Sequence, residues 1–203
     1  MSPFVSESDR LGALLSRLTV PGQAAFFLAA SLALLEHYER WSPVGDRNER
    51  LLRGAHRAAR GFATTGESKV EEIRALLALI EGEAPEGEGQ HESSATAAQD
   101  CWICADISLQ LAVGRFSASD GIWYFLEPLY QDGTQRLFGV SDVGSEYEQH
   151  GETAVLRDPT VAKALRVLES TISSLGRAAV VAPAEVERAV DSLRSICPRP
   201  EQT

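Results

Sequence analysis

The stretch AAFFLAASLALL, Ala24 to Leu35, contains twelve residues and no charged side chain. A helix that spans a membrane needs about 20 apolar residues, so this stretch is too short to cross a bilayer. It predicts instead a buried central helix that ends near Trp41, because Ser42-Pro43 disfavours helical backbone. A helix that is apolar on most of its surface must be covered by other elements, and the fold is therefore expected to be a helical bundle.

Helix start and stop signals recur on both sides of this central stretch. Capping residues, proline at the first turn and glycine after the last turn give the boundaries. The predicted helices are Ser8 to Leu18, Thr19 to Trp41, Asp46 to Gly61, one from Ser68 with Glu71, one from Ser93 or Ser94, Asp158 to Gly176, and Pro183 to Cys197. The residues around His150 and Gly151 are expected to form a loop.

The stretch from Ser119 to Val143 fits two structures. Apolar residues at helical spacing favour a helix kinked at Pro128. The strand-like segments on either side of Asp132-Gly133 would also suit a short β-hairpin near 121–140. The helix is preferred, because a lone hairpin in a helical bundle would need its own packing face.

These elements predict an all-α fold: a single domain over residues 1–203, built as a bundle of about seven or eight helices. The segment 81–92, EGEAPEGEGQHE, has five Glu, three Gly and no Lys or Arg. Such a composition cannot bury a core, so a mobile acidic loop is expected there.

The overall charge restricts the class of partner. The net charge is −10, which argues against a general nucleic-acid binder because phosphates are met by clustered Lys and Arg. Three cysteines leave no complete set of disulfides, which fits a reducing compartment, the cytoplasm. No membrane association is expected, and an acidic surface favours a basic protein as partner.

The motif Cys101-Trp102-Ile103-Cys104 suggests thiol chemistry, but its surroundings favour packing. A redox pair of this kind follows a strand and opens a helix, whereas these cysteines lie inside a predicted helix. Zinc would need about two more ligands close by. We therefore expect Cys101 in the core and Cys104 near its margin, with no cofactor, no metal and no catalytic residue.

An enzymatic alternative remains open. Glu36 and Glu39 on the central helix, together with Asp100, could surround a divalent metal, or Cys101 and Cys104 could act as thiols. Either arrangement would make the protein a small helical metal- or thiol-dependent enzyme.

Four arginines on the third predicted helix are candidate partner-binding residues. Arg50, Arg53, Arg57 and Arg60 occupy a narrow arc of that helix, here named the arginine face. Each guanidinium can hold an anionic group through two hydrogen bonds. The face could dock an acidic partner or ligand, or be an ordinary solvated surface.

The chain resembles the bacterial YjaG-like family, domain of unknown function 416. Three passages carry the resemblance: Phe26 to Tyr38, Ala98 to Cys101, and Arg157 to Val161. Leu32 and His56 depart from it, at positions where the family is expected to have an acidic residue and a large aromatic residue. The resemblance implies an all-α bundle, allows a homodimer, and brings no established activity.

The function expected from these observations is a non-enzymatic protein–protein interaction module. An immunity or antitoxin-like protein that neutralises a basic partner is one form of it, because a compact acidic protein can complement a basic surface.

Overall fold

The computed structural model describes residues 2–41, 47–81, 93–139, 148–176 and 178–197. Within these ranges the chain forms α-helices and no β-strand, which confirms the predicted all-α fold. The helices are α1 (Pro3–Leu15), α2 (Val20–Trp41), α3 (Arg47–Thr65), α4 (Val70–Glu81), α5 (Ser93–Ala112), α6 (Ala118–Phe138), α7 (Glu148–Arg157), α8 (Pro159–Ser174) and α9 (Pro183–Arg194). None of them is both long enough and apolar enough to cross a membrane. Residues 82–92, where the acidic loop was expected, lie outside the described residues.

The centre of the fold is the antiparallel pair α2 and α5. Small side chains line much of their contact, so the two backbones approach closely and hydrogen bonds run between them. Ser31 Oγ donates to the carbonyl oxygen of Cys101 at 2.7 Å, and Cys101 Sγ donates to the carbonyl oxygen of Ser31 at 3.2 Å. At positions seven residues away from this pair on each helix, Ser108 Oγ donates to the carbonyl oxygen of Ala24 at 2.8 Å. The predicted central helix is confirmed, with α5 as its partner.

The other helices surround this pair in two groups. Helices α3 and α9 pack on α2, and α4 packs on α3 and α5. Helices α1, α6, α7 and α8 pack on one another, and they join the first group where α6 meets α5 and α8 meets α9. Because α5 is covered from several sides, Cys104 is fully buried at 0% exposure rather than at the core margin as expected.

The start of α8 is formed as predicted. The Asp158 carboxylate accepts hydrogen bonds from the backbone N–H groups of Thr160 and Val161 at 3.0 and 3.1 Å. Pro159 occupies the first turn, where its missing N–H costs nothing. Gly176 follows the helix with φ +67°, a conformation that favours glycine.

Three predicted boundaries in the first half of the chain are wrong. Helix α1 begins at Pro3, where the Ser2 hydroxyl accepts a hydrogen bond from the N–H of Val5, and Ser8 is a buried residue inside the helix. The Ser68 hydroxyl has no hydrogen-bond partner in the described part of the chain, and α4 begins at Val70 without the capping box expected from Ser68 and Glu71. Helix α3 continues past Gly61 to Thr65, because a single glycine in a helix costs only about 1 kcal/mol.

The expected loop around His150 and Gly151 is also wrong, because this segment belongs to α7. That helix is stabilised by contacts with residues distant in the sequence rather than by local capping signals. Its Val155 is fully buried, and the Glu152 carboxylate accepts hydrogen bonds from Ser2 Oγ and from the N–H of Phe4 at the start of α1.

The region 118–138 is one helix, α6, so the preferred helix is confirmed and the hairpin is excluded. The helix is continuous through Pro128 and ends before Gly139, whose φ is +71°. Gly121 lies at its tightest contact, since a Cβ there would come within 2.6 Å of Phe27 Cζ and 3.2 Å of Ile107 Cδ1.

The contact at Gly121 gives a stability prediction with a matched control. We expect Gly121→Ala to destabilise the protein by about 1–2 kcal/mol, because overpacking against the buried Phe27 ring outweighs the better helix propensity of alanine. Gly61→Ala on α3 meets no atom within 4 Å and should stabilise the protein by up to about 1 kcal/mol. Urea unfolding of both variants measures the difference, and equal effects would contradict the close α6–α2 contact.

Candidate functional site

The arginine face on α3 divides into two pairs. Arg53 forms ion pairs within the protein, since its Nη2 lies 2.9 Å from a carboxylate oxygen of Glu39 on α2 and 2.8 Å from one of Glu49 on α3. Arg60 forms an ion pair with Glu187 of α9. These two arginines therefore tie α3 to its neighbouring helices. Arg50 and Arg57 are exposed, and within the described residues no ion pair is found for either of them.

A buried polar network lies beneath this face. His56 Nε2 is 2.7 Å from Ser31 Oγ, whose single proton goes to the carbonyl oxygen of Cys101. The imidazole Nε2 must then carry the proton and donate to Ser31. Burial, with Arg60 and Arg53 nearby, lowers the pKa of His56 to about 4, so His56 is neutral near pH 7. Ser31 has no exposed surface, so this Ser–His pair cannot reach a substrate.

The cysteines are buried rather than reactive. Burial raises the pKa of the Cys101 thiol to about 12 and raises that of Cys104 well above its ordinary value. Thiolates are the reactive form of cysteine, and these thiols hold almost none. The Cys101 thiol instead donates a hydrogen bond to α2. The third cysteine, Cys197, is partly buried, and burial raises its pKa to about 12.

The carboxylates of the enzymatic alternative are in different environments. Glu36 and Glu39 are exposed and pair with Arg40 and Arg53, whereas Asp100 is only 7% exposed. Across the described part of the chain, no group of three or more His, Cys, Asp or Glu side chains is arranged to hold a metal ion.

Asp100 is the most perturbed carboxyl group that the structure describes. Burial, with a smaller contribution from the negative charge of Glu127 on α6, raises its pKa to about 7. Its Oδ2 atom is buried and has no hydrogen-bond partner among the described residues. The carboxylate is therefore costly to ionise.

A cleft of about 160 Å³ lies between α6, α8 and the residues that follow α9. Two cations line it, Arg136 and Lys163. Arg136 pairs with Asp132 and, at 2.9 Å, with Asp158, whereas no ion pair is found for Lys163 within the described residues. The cleft is therefore small, and one of its two cations is already paired.

The exposed side of α6 carries a set of residues that sequence reasoning missed. Asp120, Trp123, Tyr124 and Glu127 share one face at helical spacing, named here the acidic–aromatic face. Trp123 and Tyr124 are 38% and 39% exposed. The spacing i, i+3, i+4, i+7 could have revealed this face, but it applies only to a helix, and a hairpin was still open as an alternative for this region.

The Trp123 ring is held in place from two sides. The ring of Phe4 on α1 meets it edge-on at a centroid distance of 5.3 Å. Its Nε1 donates to Glu127 Oε2 at 3.1 Å, and Gln131 Nε2 donates to the other oxygen of Glu127 at 3.1 Å. Within the described residues no cation pairs with Asp120 or Glu127. The face thus presents the fixed Trp123 ring and the exposed Tyr124 ring beside carboxylates that pair with no cation among the described residues.

Comparison with known proteins gives one structural match of high coverage. A crystal structure of a DUF416 family protein from Shewanella baltica OS155 superimposes with a TM-score of 0.63, covering 91% of this chain and 93% of that chain. The chain has the fold of a DUF416 family protein. No family model matches the chain, and neither does any curated protein. At 17% identity the likeness to the DUF416 protein establishes the fold alone.

The DUF416-type fold accommodates both departures noted in the sequence. Leu32 is partly buried and packs against the core. His56 is buried and takes part in the Ser31 network. The expected resemblance is therefore confirmed as a shared fold, and the two departures are residues of the interior.

The raised pKa of Asp100 predicts a pH-dependent stability. The folded protein keeps a proton on Asp100 between about pH 4 and 7 that the unfolded chain loses, so this contribution to stability falls as the pH rises through that range. Asp100→Asn should leave stability unchanged below about pH 4 and raise it by up to about 4 kcal/mol above about pH 7. Urea unfolding across this range, with the exposed Asp9→Asn as control, measures the effect. If Asp100→Asn changed the free energy of unfolding equally at the low and the high end of this pH range, the raised pKa would be contradicted.

The arginine face predicts a small cost for its removal. Arg53→Gln with Arg57→Gln should change the free energy of unfolding by less than about 1 kcal/mol, because exposed ion pairs contribute little. If the face docks an acidic partner, the same change should weaken that complex, and the loss should shrink at high salt. Unchanged affinity for an identified partner would remove the arginine face as a docking site.

Proposed function

We propose that this protein is a non-enzymatic protein-binding module that docks a basic partner through the acidic–aromatic face of α6. The observation that carries the proposal is the exposure of Trp123 and Tyr124, side by side, between Asp120 and Glu127. Tryptophan and tyrosine are among the residues that contribute most to binding at protein interfaces. Surrounded by carboxylates, they favour a partner of positive charge.

The fixed position of Trp123 supports the same proposal. A side chain held by Phe4 and Glu127 loses little conformational freedom when a partner arrives, so less of the binding energy is offset by ordering. The net charge of −10 adds long-range attraction toward a basic protein. An immunity or antitoxin-like role is one concrete form of this function. We place the module in the cytoplasm, in keeping with three free cysteines.

The homodimer is a less favourable occupant of this face. Two copies would each bring a charge of −10, and like charges oppose association. A dimer seen by analytical ultracentrifugation and abolished by Tyr124→Ala would contradict the basic partner.

The test is site-specific photo-crosslinking in cells, with a crosslinking amino acid in place of Tyr124 or, as a control, of Leu79 on α4, which is 41% exposed. We expect a basic protein to be captured from position 124 and not from position 79. With that protein purified, Tyr124→Ala should weaken binding at least about tenfold, as for an interface hot spot, and Leu79→Ala should leave it unchanged. Equal capture at both positions, or unchanged affinity of Tyr124→Ala, would overturn the proposal.

A further inference from the structure

We propose that the acidic–aromatic face recognises an arginine side chain of the partner, with the guanidinium lying against the Trp123 and Tyr124 rings and hydrogen-bonded to Glu127. This inference rests on the proposed function and names the group that the face binds. It is carried by the exposed ring pair, by the position of the carboxylates and by the lack of a cation beside them among the described residues.

The first step is the arrangement of the face. At about 100° per residue, Asp120 and Glu127 lie between the directions of Trp123 and Tyr124 on the helix. The two rings therefore flank the carboxylates, and a group bound to a carboxylate of this face lies beside a ring. A planar cation can contact a ring face and a carboxylate together, which an apolar side chain cannot do.

The second step is the charge at this end of the fold. Among the described residues, Glu127 accepts hydrogen bonds only from the neutral groups of Trp123 and Gln131, and Asp120 accepts one from Ser119 Oγ at 3.3 Å. Each Glu127 oxygen keeps a further lone pair for an incoming donor. The charge of Glu127 also disfavours ionisation of Asp100 on α5. A cation bound at Glu127 would neutralise the carboxylate charge that disfavours ionisation of Asp100.

The third step separates arginine from lysine. A guanidinium is planar, stacks on aromatic rings, and donates two parallel hydrogen bonds to one carboxylate. A lysine ammonium is a compact, strongly hydrated charge that loses more solvation on leaving water. Rings beside carboxylates therefore favour arginine.

The experiment uses the full chain and three capped peptides that differ only in one repeated residue: arginine, lysine or uncharged citrulline. Binding is followed by NMR at the indole N–H of Trp123, which is assigned with Trp123→Phe. We expect the arginine peptide to shift this signal and to bind at least about fivefold more tightly than the lysine peptide. The citrulline peptide should bind at least about tenfold more weakly than the arginine peptide. Equal binding of the arginine and lysine peptides, or an unmoved indole signal, would overturn the proposal.

Two variants with the same change in net charge provide the control. Glu127→Gln keeps an acceptor for the Trp123 indole and should weaken the arginine peptide at least about tenfold. Glu67→Gln neutralises an exposed carboxylate elsewhere and should weaken it less than about twofold. Equal losses in both variants would show general attraction to an acidic surface and would overturn the specific site.

Proton linkage gives a readout that non-specific binding would not move. A guanidinium at Glu127 should lower the pKa of Asp100, measured from its side-chain carboxyl signal with and without the arginine peptide. An unchanged Asp100 titration at saturating peptide would contradict the seat at Glu127. If a partner is captured at position 124 while the peptides show no preference for arginine, the arginine anchor fails and the binding function stands. If the peptides behave as expected and no partner is captured, the binding function fails instead.

Discussion

The close antiparallel contact of α2 and α5 is the constraint on which the rest of the structure depends. Ser31 and Cys101 exchange hydrogen bonds with each other's backbone carbonyls, and Ser108 repeats the contact with Ala24. Such bonds require the helix axes to approach closely, which only small side chains allow. Because a polar group buried without a partner costs about 1–3 kcal/mol, a shift of either helix would leave several such groups unpaired. The register of the bundle is therefore fixed at its centre.

The same constraint explains why the groups that suggest chemistry in the sequence serve the fold instead. Cys101 donates its thiol proton to α2, and His56 is bonded to Ser31 beneath the arginine face, where burial and the nearby arginines keep it neutral. Both groups are removed from solvent by the helices that cover the central pair. A motif such as Cys101 to Cys104 indicates reactivity only where a thiolate can form, and burial prevents that here.

The parts of the fold that could be predicted from sequence are those that local chemistry decides. The Asp158-Pro159 cap and the apolar stripe of α8 needed only neighbouring residues. Helix α7 was missed because Glu152 meets the start of α1, which is far away in the chain. The arginine face could be identified from helical spacing alone. Its Arg60–Glu187 pair could not be predicted, because the two residues are 127 positions apart in the chain. The acidic–aromatic face was missed because aromatic residues alone do not tell exposure from burial.

The distribution of polar groups between the interior and the surface indicates where a partner can act. Inside the bundle, Ser31, Cys101 and Ser108 bond to other protein atoms, and a ligand there would have to break those bonds. On α3, half of the arginine face is occupied by Glu39, Glu49 and Glu187. On α6 the Trp123 ring is exposed and fixed, the Tyr124 ring is exposed, and the adjacent carboxylates meet no cation within the described residues. Binding at this face would cost the protein none of its internal contacts, because Phe4 and Gln131 already hold Trp123 and Glu127 in place.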